Sequence, residues 1–269
     1  MPSAIRQRPD RGSKKSTFVE GIEAISKPTE GIKIGFYGKT ATGKTTLFST
    51  FPKPSLLIRA EKGTRSIYNV KGVFTTPLMK DANQLLQVIE YAKGKKFATV
   101  CLDTVTSYQD LVLRGIIQRD IPEQLGFAEV GRDEWGECAL TMKERLREFL
   151  ELSDIGVNVV VLGQERNFTE EESSDVLLPT VSFRVTPSIA DWLNPELDYI
   201  CQTFKKQVRE KVVTMKGKKK LVKYVEKIGY CLRTGPHPIY VTKFRVPRGN
   251  EIPEFLVSPS YEDLVKIID

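Results

Sequence analysis

The chain's 269 residues suffice for one large domain or two small ones, and its 40% apolar content supports a packed core. Its 41 Lys and Arg against 34 Asp and Glu leave a net charge of +7, which permits binding to nucleic acid without requiring it. Four scattered cysteines (Cys101, Cys138, Cys201, Cys231) form no CxxC pair and the single histidine, His237, lies in the turn-like TGPHPIY, which argues against structural zinc, a Ser-His-Asp triad or a His-based metal site.

From the N-terminus, MPSAIRQRPDRGSKKS lacks the apolar core of a secretory signal. Residues 1–30 read as a mobile basic arm carrying Arg6, Arg8, Arg11, Lys14 and Lys15, with the more apolar FVEGIEAI (18–25) as a candidate docking segment, through Phe18 on a neighbouring subunit or as a staple within the chain. GIKIGFYG (31–38) reads as a strand ending in glycine, and a helix is expected to start near Lys44. SLLIRA (55–60) is the next strand and VFTTP (73–77) a short further one. DANQLLQVIEYAKG (81–94) carries Leu85, Leu86, Ile89 and Ala92 at helical spacing, with Asp81 as N-cap. FATVCLD (97–103) is a buried strand, EWGECALTMKERLREFLELSDIG (134–156) a long helix ending at Gly156, and VNVVVLGQ (157–164) another buried strand.

Continuous Val/Ile/Leu strands separated by helices imply a parallel sheet covered on both faces. After residue 195 the pattern turns strand-like, and VVTMKGKKKLVKYV reads as two strands around a turn at Gly217. SPSYEDLVKIID closes the chain as a short helix with a Ser260–Asp263 capping box. No run of about 18 apolar residues occurs, so no membrane span is expected. The division is the arm, 1–30, and one α/β domain, 31–269, with a C-terminal antiparallel extension.

GKTATGKTT (38–46) fits G-x-x-x-x-G-K-[ST] between an apolar strand and a helix-compatible run. Glycines in this pattern let the backbone wrap a phosphate with its N–H groups turned inward. Gly38, Lys39, Thr40, Ala41, Thr42, Gly43, Lys44, Thr45 and Thr46 are therefore candidate nucleotide-binding residues, with Lys44 reaching the β- and γ-phosphates and the Thr45 hydroxyl on Mg²⁺. Such a loop needs an acidic partner for the metal at a neighbouring strand end, and Asp103 supplies it, flanked by Thr104. A carboxylate that orients the attacking water must sit at the C-terminal edge of the sheet. Glu61, ending the first strand after the loop helix, qualifies; read alone, it is more readily a solvated strand-end residue.

In order and spacing, GKTATGKTT, LLIRAEKG, FATVCLDTVTSY and VNVVVLGQER resemble the four motifs of the RecA-type recombinase ATPase core, over residues 31–247. More narrowly, the chain is similar to the core-only RecA-like proteins of bacteriophages, associated with single-strand annealing and recombination. The resemblance implies a P-loop NTPase fold, ATP and Mg²⁺, Glu61 as the water-activating base, and Gln164 as a sensor of the γ-phosphate. YVTKFRVPRG (240–249) resembles the family segment whose two basic residues reach the neighbouring subunit's ATP, which marks Lys243 and Arg245; alternating solvated cations on a strand are the plain alternative.

The family pattern also places nucleic acid on the loops after the Asp103 and Gln164 strands, here 106–133 and 165–188. Arg114, Arg119 and Arg132 in the first, and Arg166, Phe168, Phe183 and Arg184 in the second, are the candidate DNA contacts. The acidic TEEESSD (169–175) would repel a phosphate backbone, so either contact comes from the ends of its loop or the segment is a regulatory cover. The basic tip KGKKK (216–220) is a further candidate, or simply a solvated turn that discourages edge pairing.

The expectation is a DNA-dependent ATPase that binds single-stranded DNA as a filament or ring. It would promote annealing or strand exchange in the cytoplasm, the host's if phage-encoded, with a single-strand-binding protein as candidate partner. A ring helicase or packaging-type motor shares the same core and is the rival reading; a small-molecule kinase is a more distant one, since no Arg-rich lid is evident.

Overall fold

A computed structural model describes residues 29–120, 130–167, 180–216 and 219–269, with side chains omitted at 119–120, 167, 210–216 and 219–223. The basic arm with its docking segment, Phe168, and the acidic segment 169–175 lie outside the described residues.

Among the described residues, ten strands form the central sheet assembly. In chain order the elements are β1 (Lys33–Gly38), α1 (Lys44–Phe48), β2 (Ser55–Arg59), β3 (Val73–Leu78), α2 (Gln84–Lys93), β4 (Thr99–Asp103), α3 (Val105–Asp120), α4 (Arg132–Leu150), β5 (Asn158–Asn167), β6 (Val181–Phe183), α5 (Pro187–Glu196), β7 (Tyr199–Lys216), β8 (Lys219–Arg233), β9 (Lys243–Phe244), β10 (Phe255–Val257) and α6 (Tyr261–Ile268). The sheet order is β10-β8-β7-β1-β5-β4-β2-β3, with β6 on β5 and β9 on β7. The run from β7 to β3 is parallel throughout; β8 and β10 continue it antiparallel. This is the mostly parallel α/β sheet with an antiparallel extension that the apolar runs imply.

Both faces of the parallel part are buried, which is why its strands read as unbroken apolar runs. Leu56, Ile58, Val100, Leu102, Val159 and Val161 point to the layer formed by α2, α3, α4 and α5. Ile34, Phe36, Leu57, Cys101, Val160 and Leu162 point the other way, onto Leu47 and Phe48 of α1 and Leu264 of α6. The Ser260 capping box is present: its side chain accepts from the Asp263 N–H at 3.3 Å, and Asp263 Oδ2 accepts from the Ser260 N–H at 3.1 Å. Asp81 is not the N-cap of α2; its Oδ1 instead accepts from the Asn83 N–H in a turn ahead of the helix.

Two segments expected as loops contain regular structure. Residues 105–120 form α3, whose apolar residues Val105, Tyr108, Val112, Leu113, Ile116 and Ile117 are buried. Within 165–188, β5 runs on to Asn167, β6 returns antiparallel to it, and α5 begins at Pro187. Phe183 of β6 is fully buried, so its assignment to DNA contact is corrected to a core role. Its ring lies 5.4 Å from that of Tyr37 and fills the hollow left by two glycines in neighbouring strands. A Cβ on Gly35 of β1 would stand 2.6 Å from the Phe183 ring, and one on Gly163 of β5 2.4 Å from it. Glycine inside a central strand marks such a close approach.

Candidate active site

The parallel register sets the ends of four strands side by side. Gly38 pairs with Gln164, and Asp103 pairs with Leu162 on one side and Arg59 on the other. The Ala60 and Glu61 N–H groups both donate to the Asp103 carbonyl, at 2.8 and 3.2 Å, which carries Glu61 over the acid strand. β5 lies between the strand feeding the phosphate loop and the strand bearing Asp103. The result is one cavity of about 620 Å³ lined by residues 40–47 with Glu61, Asp103 and Gln164, and on its far wall Thr203, Tyr230, Ser258 and Pro259.

The loop is shaped by left-handed backbone at Ala41 (φ 61) and Gly43 (φ 91). Alternation of this kind turns successive N–H groups to one side and makes an anion nest. Lys44 is buried, and its Nζ donates to the Gly38 and Lys39 carbonyls, both at 2.9 Å. An ammonium has three N–H donors, so one remains for an anion in the nest. Burial lowers the Lys44 pKa, while Asp103, Glu61 and Glu165 pull it back up. Thr42 Oγ1 donates to the Lys39 carbonyl at 2.7 Å and lies 2.7 Å from Thr203 Oγ1, which fastens the loop to β7. Lys39 is exposed and 3.8 Å from Glu165; Thr40, Ala41 and Thr46 are exposed at the rim.

Thr45 Oγ1 donates to Asp103 Oδ2 at 3.0 Å. Burial first, and then the nearby Glu61 charge, raise the Asp103 pKa to about 6. A buried carboxylate pushed up in this way gains from a cation beside it. The donor set, one hydroxyl and one carboxylate, is the hard-oxygen pair that Mg²⁺ takes when a nucleotide supplies the remaining ligands. Among the described residues there is no group of three or more His, Cys, Asp or Glu that could hold a metal ion.

Glu61 is held from α3. Its Oε2 accepts from Thr104 Oγ1 at 3.0 Å and from Ser107 Oγ at 2.9 Å. Both bonds go to the same oxygen, and among the described residues Oε1 accepts none. Thr104, expected beside the metal, thus spends its hydroxyl on Glu61. Ser107 was not identified from sequence; the signal was a hydroxyl one helical turn after Thr104, at the start of an unrecognised helix. Gln164 has its N–H on Thr106 Oγ1 at 3.1 Å, and its carbonyl accepts from the Arg184 N–H at 2.7 Å.

The remaining candidates lie elsewhere. Lys243 and Arg245 sit at the opposite edge of the sheet, where β9 meets the start of β7. Lys243 Nζ donates to the carbonyls of Asn194, Pro195 and Leu197 at 3.0, 2.8 and 2.5 Å, closing the C-terminal end of α5. Arg245 donates to Asp198 Oδ1 at 2.8 Å and to the Pro195 carbonyl at 3.0 Å. Within the subunit these cations are structural, because a helix C-terminus leaves carbonyls that need donors. Arg114 on α3 and Arg184 after β6 are exposed, and both charges act on Asp110 between them. Arg132 is exposed in the first turn of α4, and Arg166 is half-buried on the extension of β5. Arg119 lies at the end of α3 with its side chain outside the described residues.

A glycine-rich loop between a buried strand and a helix, an acid on the next strand but one, and a carboxylate beside it define an α/β P-loop nucleoside triphosphatase with a mostly parallel central sheet. The chain belongs to the AAA domain family, whose profile matches residues 30–246. It is therefore a nucleotide-binding ATPase of that family. Among solved structures it is similar to the flagellar accessory protein FlaH of Methanocaldococcus jannaschii, at 10% identity and a TM-score of 0.42, over 86% of this chain and 91% of that one. No curated protein matches the chain. No helix among the described residues is long and apolar enough to cross a membrane.

Proposed function

We propose that the protein is an ATP-hydrolysing, single-stranded-DNA-binding recombination and annealing protein that works as a homo-oligomer. The observation that carries the hydrolytic part is Glu61: a carboxylate clamped at Oε2 by two hydroxyls, in the cavity that also holds Lys44, Asp103 and Gln164. In this reading the loop amides and Lys44 hold the phosphates, and Thr45 and Asp103 would hold a Mg²⁺ ion, which would supply neutralisation of the developing charge. Glu61 Oε1 takes the proton of the attacking water. The Gln164 amide bonds the γ-phosphate and passes its loss to Arg184 through the backbone they share.

The resemblance to phage annealing proteins and the basic balance support DNA as the partner. Arg114, Arg132, Arg166 and Arg184 remain its candidate contacts around α3 and the β5–β6 turn. A role for Lys243 and Arg245 on a neighbour's nucleotide requires them to leave α5.

The test is ATP turnover with and without single-stranded DNA at low salt, on wild type and Glu61→Gln. DNA-stimulated turnover that the variant loses is expected. Turnover indifferent to DNA, with no complex formed, overturns the DNA part. Closed hexamers with unwinding activity, seen by electron microscopy with DNA, would replace annealing with a ring motor.

A further inference from the structure

The hairpin of β7 and β8 outgrows the sheet that carries it. β1 pairs with β7 only over Tyr199–Thr203, and β10 pairs with β8 only over Cys231–Arg233. The two strands nonetheless stay paired with each other out to Lys216 and Lys219. Beyond its base this is a two-stranded ribbon, a form only marginally stable unless something lies against it. The base is firm: Arg233 Nε donates to Gln202 Oε1 at 3.2 Å, and the Arg233 guanidinium lies over the rings of Phe204 and Tyr240.

Charge concentrates on the ribbon. Residues 199–233 contain eleven Lys and Arg against two Glu, a local excess of nine that exceeds the +7 of the whole chain. The rest of the chain therefore sums to a slight negative charge, and the net positive balance of the chain originates here.

Among the described residues, one face is covered and one is open. Toward β10, Lys206 lies over the Phe255 ring at 4.2 Å, and a Cβ on Gly229 would meet Val208 and Val257. The opposite face carries the register pairs Lys205–Tyr230, Gln207–Ile228 and Arg209–Glu226, followed by Tyr224 opposite position 211. Tyr224 and Ile228 are each 69% exposed, and Tyr230 is 49% exposed. Glu226 binds Arg209 at 3.1 Å and Gln207 at 2.8 Å, but both bonds are solvent-exposed and weak competitors for a phosphate. Large exposed aromatics alternating with cations serve stacking on bases together with phosphate neutralisation.

We propose that this open face of the β7–β8 ribbon is the principal binding surface for single-stranded nucleic acid. It rests on the DNA-binding reading above and relocates the interface from the segments after β4 and β5. Single strands are preferred over duplex because only unstacked bases offer their faces to Tyr224 and Tyr230. The face begins at the catalytic cavity: Tyr230 lines it, and a Cβ on Gly43 would lie 3.3 Å from the Tyr230 ring. A strand laid along the ribbon thus ends beside the phosphate loop, a direct route for DNA to influence turnover.

The test uses the full chain with a fluorescent oligo-dT, Mg²⁺ and ATP, read by anisotropy over a salt series, with DNA-free ATP turnover as the control. The variants are Tyr224→Ala and Lys205→Ala/Arg209→Ala; Tyr230 is left intact because it lines the cavity. Tyr224→Ala is expected to weaken oligo-dT binding about tenfold, with little effect on duplex. The double variant is expected to weaken binding and lower the salt slope by about 1.4, two phosphate contacts on a single strand. DNA-free turnover stays at the wild-type level in both. Wild-type affinity and slope in both variants overturn the ribbon assignment while leaving the DNA-binding reading intact. A wild type that binds no oligo-dT overturns both. Loss from the charge variant alone, equal on duplex, overturns the stacking role and the single-strand preference.

Discussion

The parallel strands and the β7–β8 ribbon are parts of one sheet built from opposite material. In β1, β2, β4 and β5 nearly every side chain is buried against a helix, and polar chemistry appears only where a strand leaves the core, at Glu61, Asp103 and Gln164. In the ribbon, charge and exposed aromatics occupy the strand interior, and among the described residues no layer covers the open face. A residue of the first region that looks functional is suspect unless it ends a strand. A residue of the second that looks merely solvated is suspect for the reverse reason. Phe183 and Tyr224 are the paired lesson: two aromatics, one a plug over Gly35 and Gly163, the other exposed among the described residues.

The largest effect expected from sharpening this contrast is on Phe183. Phe183→Ala leaves a cavity over two glycines that cannot fill it and should cost about 3–5 kcal/mol of stability, measured as a lowered urea midpoint. DNA affinity per folded molecule should not change. A stable Phe183→Ala protein with weakened DNA binding would return Phe183 to the interface and break the comparison.

Next is the strand end itself. Glu61→Gln keeps the shape and the acceptor for Thr104 and Ser107 but cannot take a proton. Turnover should fall about 10²–10⁴-fold, with nucleotide affinity retained. Normal turnover would make Glu61 a polar strand end and nothing more.

Lys243 tests whether a cation that alternates along a strand is free for a neighbour. Lys243→Met removes the donor to three carbonyls at the end of α5 and should cost about 1–3 kcal/mol in the isolated subunit. If stability is unaffected while turnover in the assembled state drops, the cation acts in trans.

These expectations also show what was readable in advance. The parallel core was, because strands buried on both faces write continuous apolar runs, and the phosphate loop was, because its glycines are needed at fixed spacing. α3 carries a helical signal, with Val105, Tyr108, Val112, Leu113, Ile116 and Ile117 buried, but the family pattern puts a DNA loop there. α5 announced itself with Pro187 in its first position, yet Pro195 near its end obscured it. The core role of Phe183 was recoverable only from glycines in two distant strands. The lysine cap on α5 depends on β9 returning across about fifty residues, which no local pattern encodes.

The smallest effect is the most specific. Ser107→Ala removes one of the two bonds to Glu61 Oε2, worth about 1 kcal/mol, so turnover should drop about fivefold with nucleotide affinity unchanged. A general loosening of α3 would lower turnover too, so the magnitude alone does not establish positioning. A cycle with Glu61→Gln does: if Ser107 acts by aiming the Glu61 base, its removal costs nothing further once that base is gone. An equal loss in both backgrounds would mean that Ser107 supports the helix rather than the carboxylate. The pairing of a strand-end acid with a hydroxyl on the following helix would then be packing, and the line drawn between the two regions of the sheet would need to move.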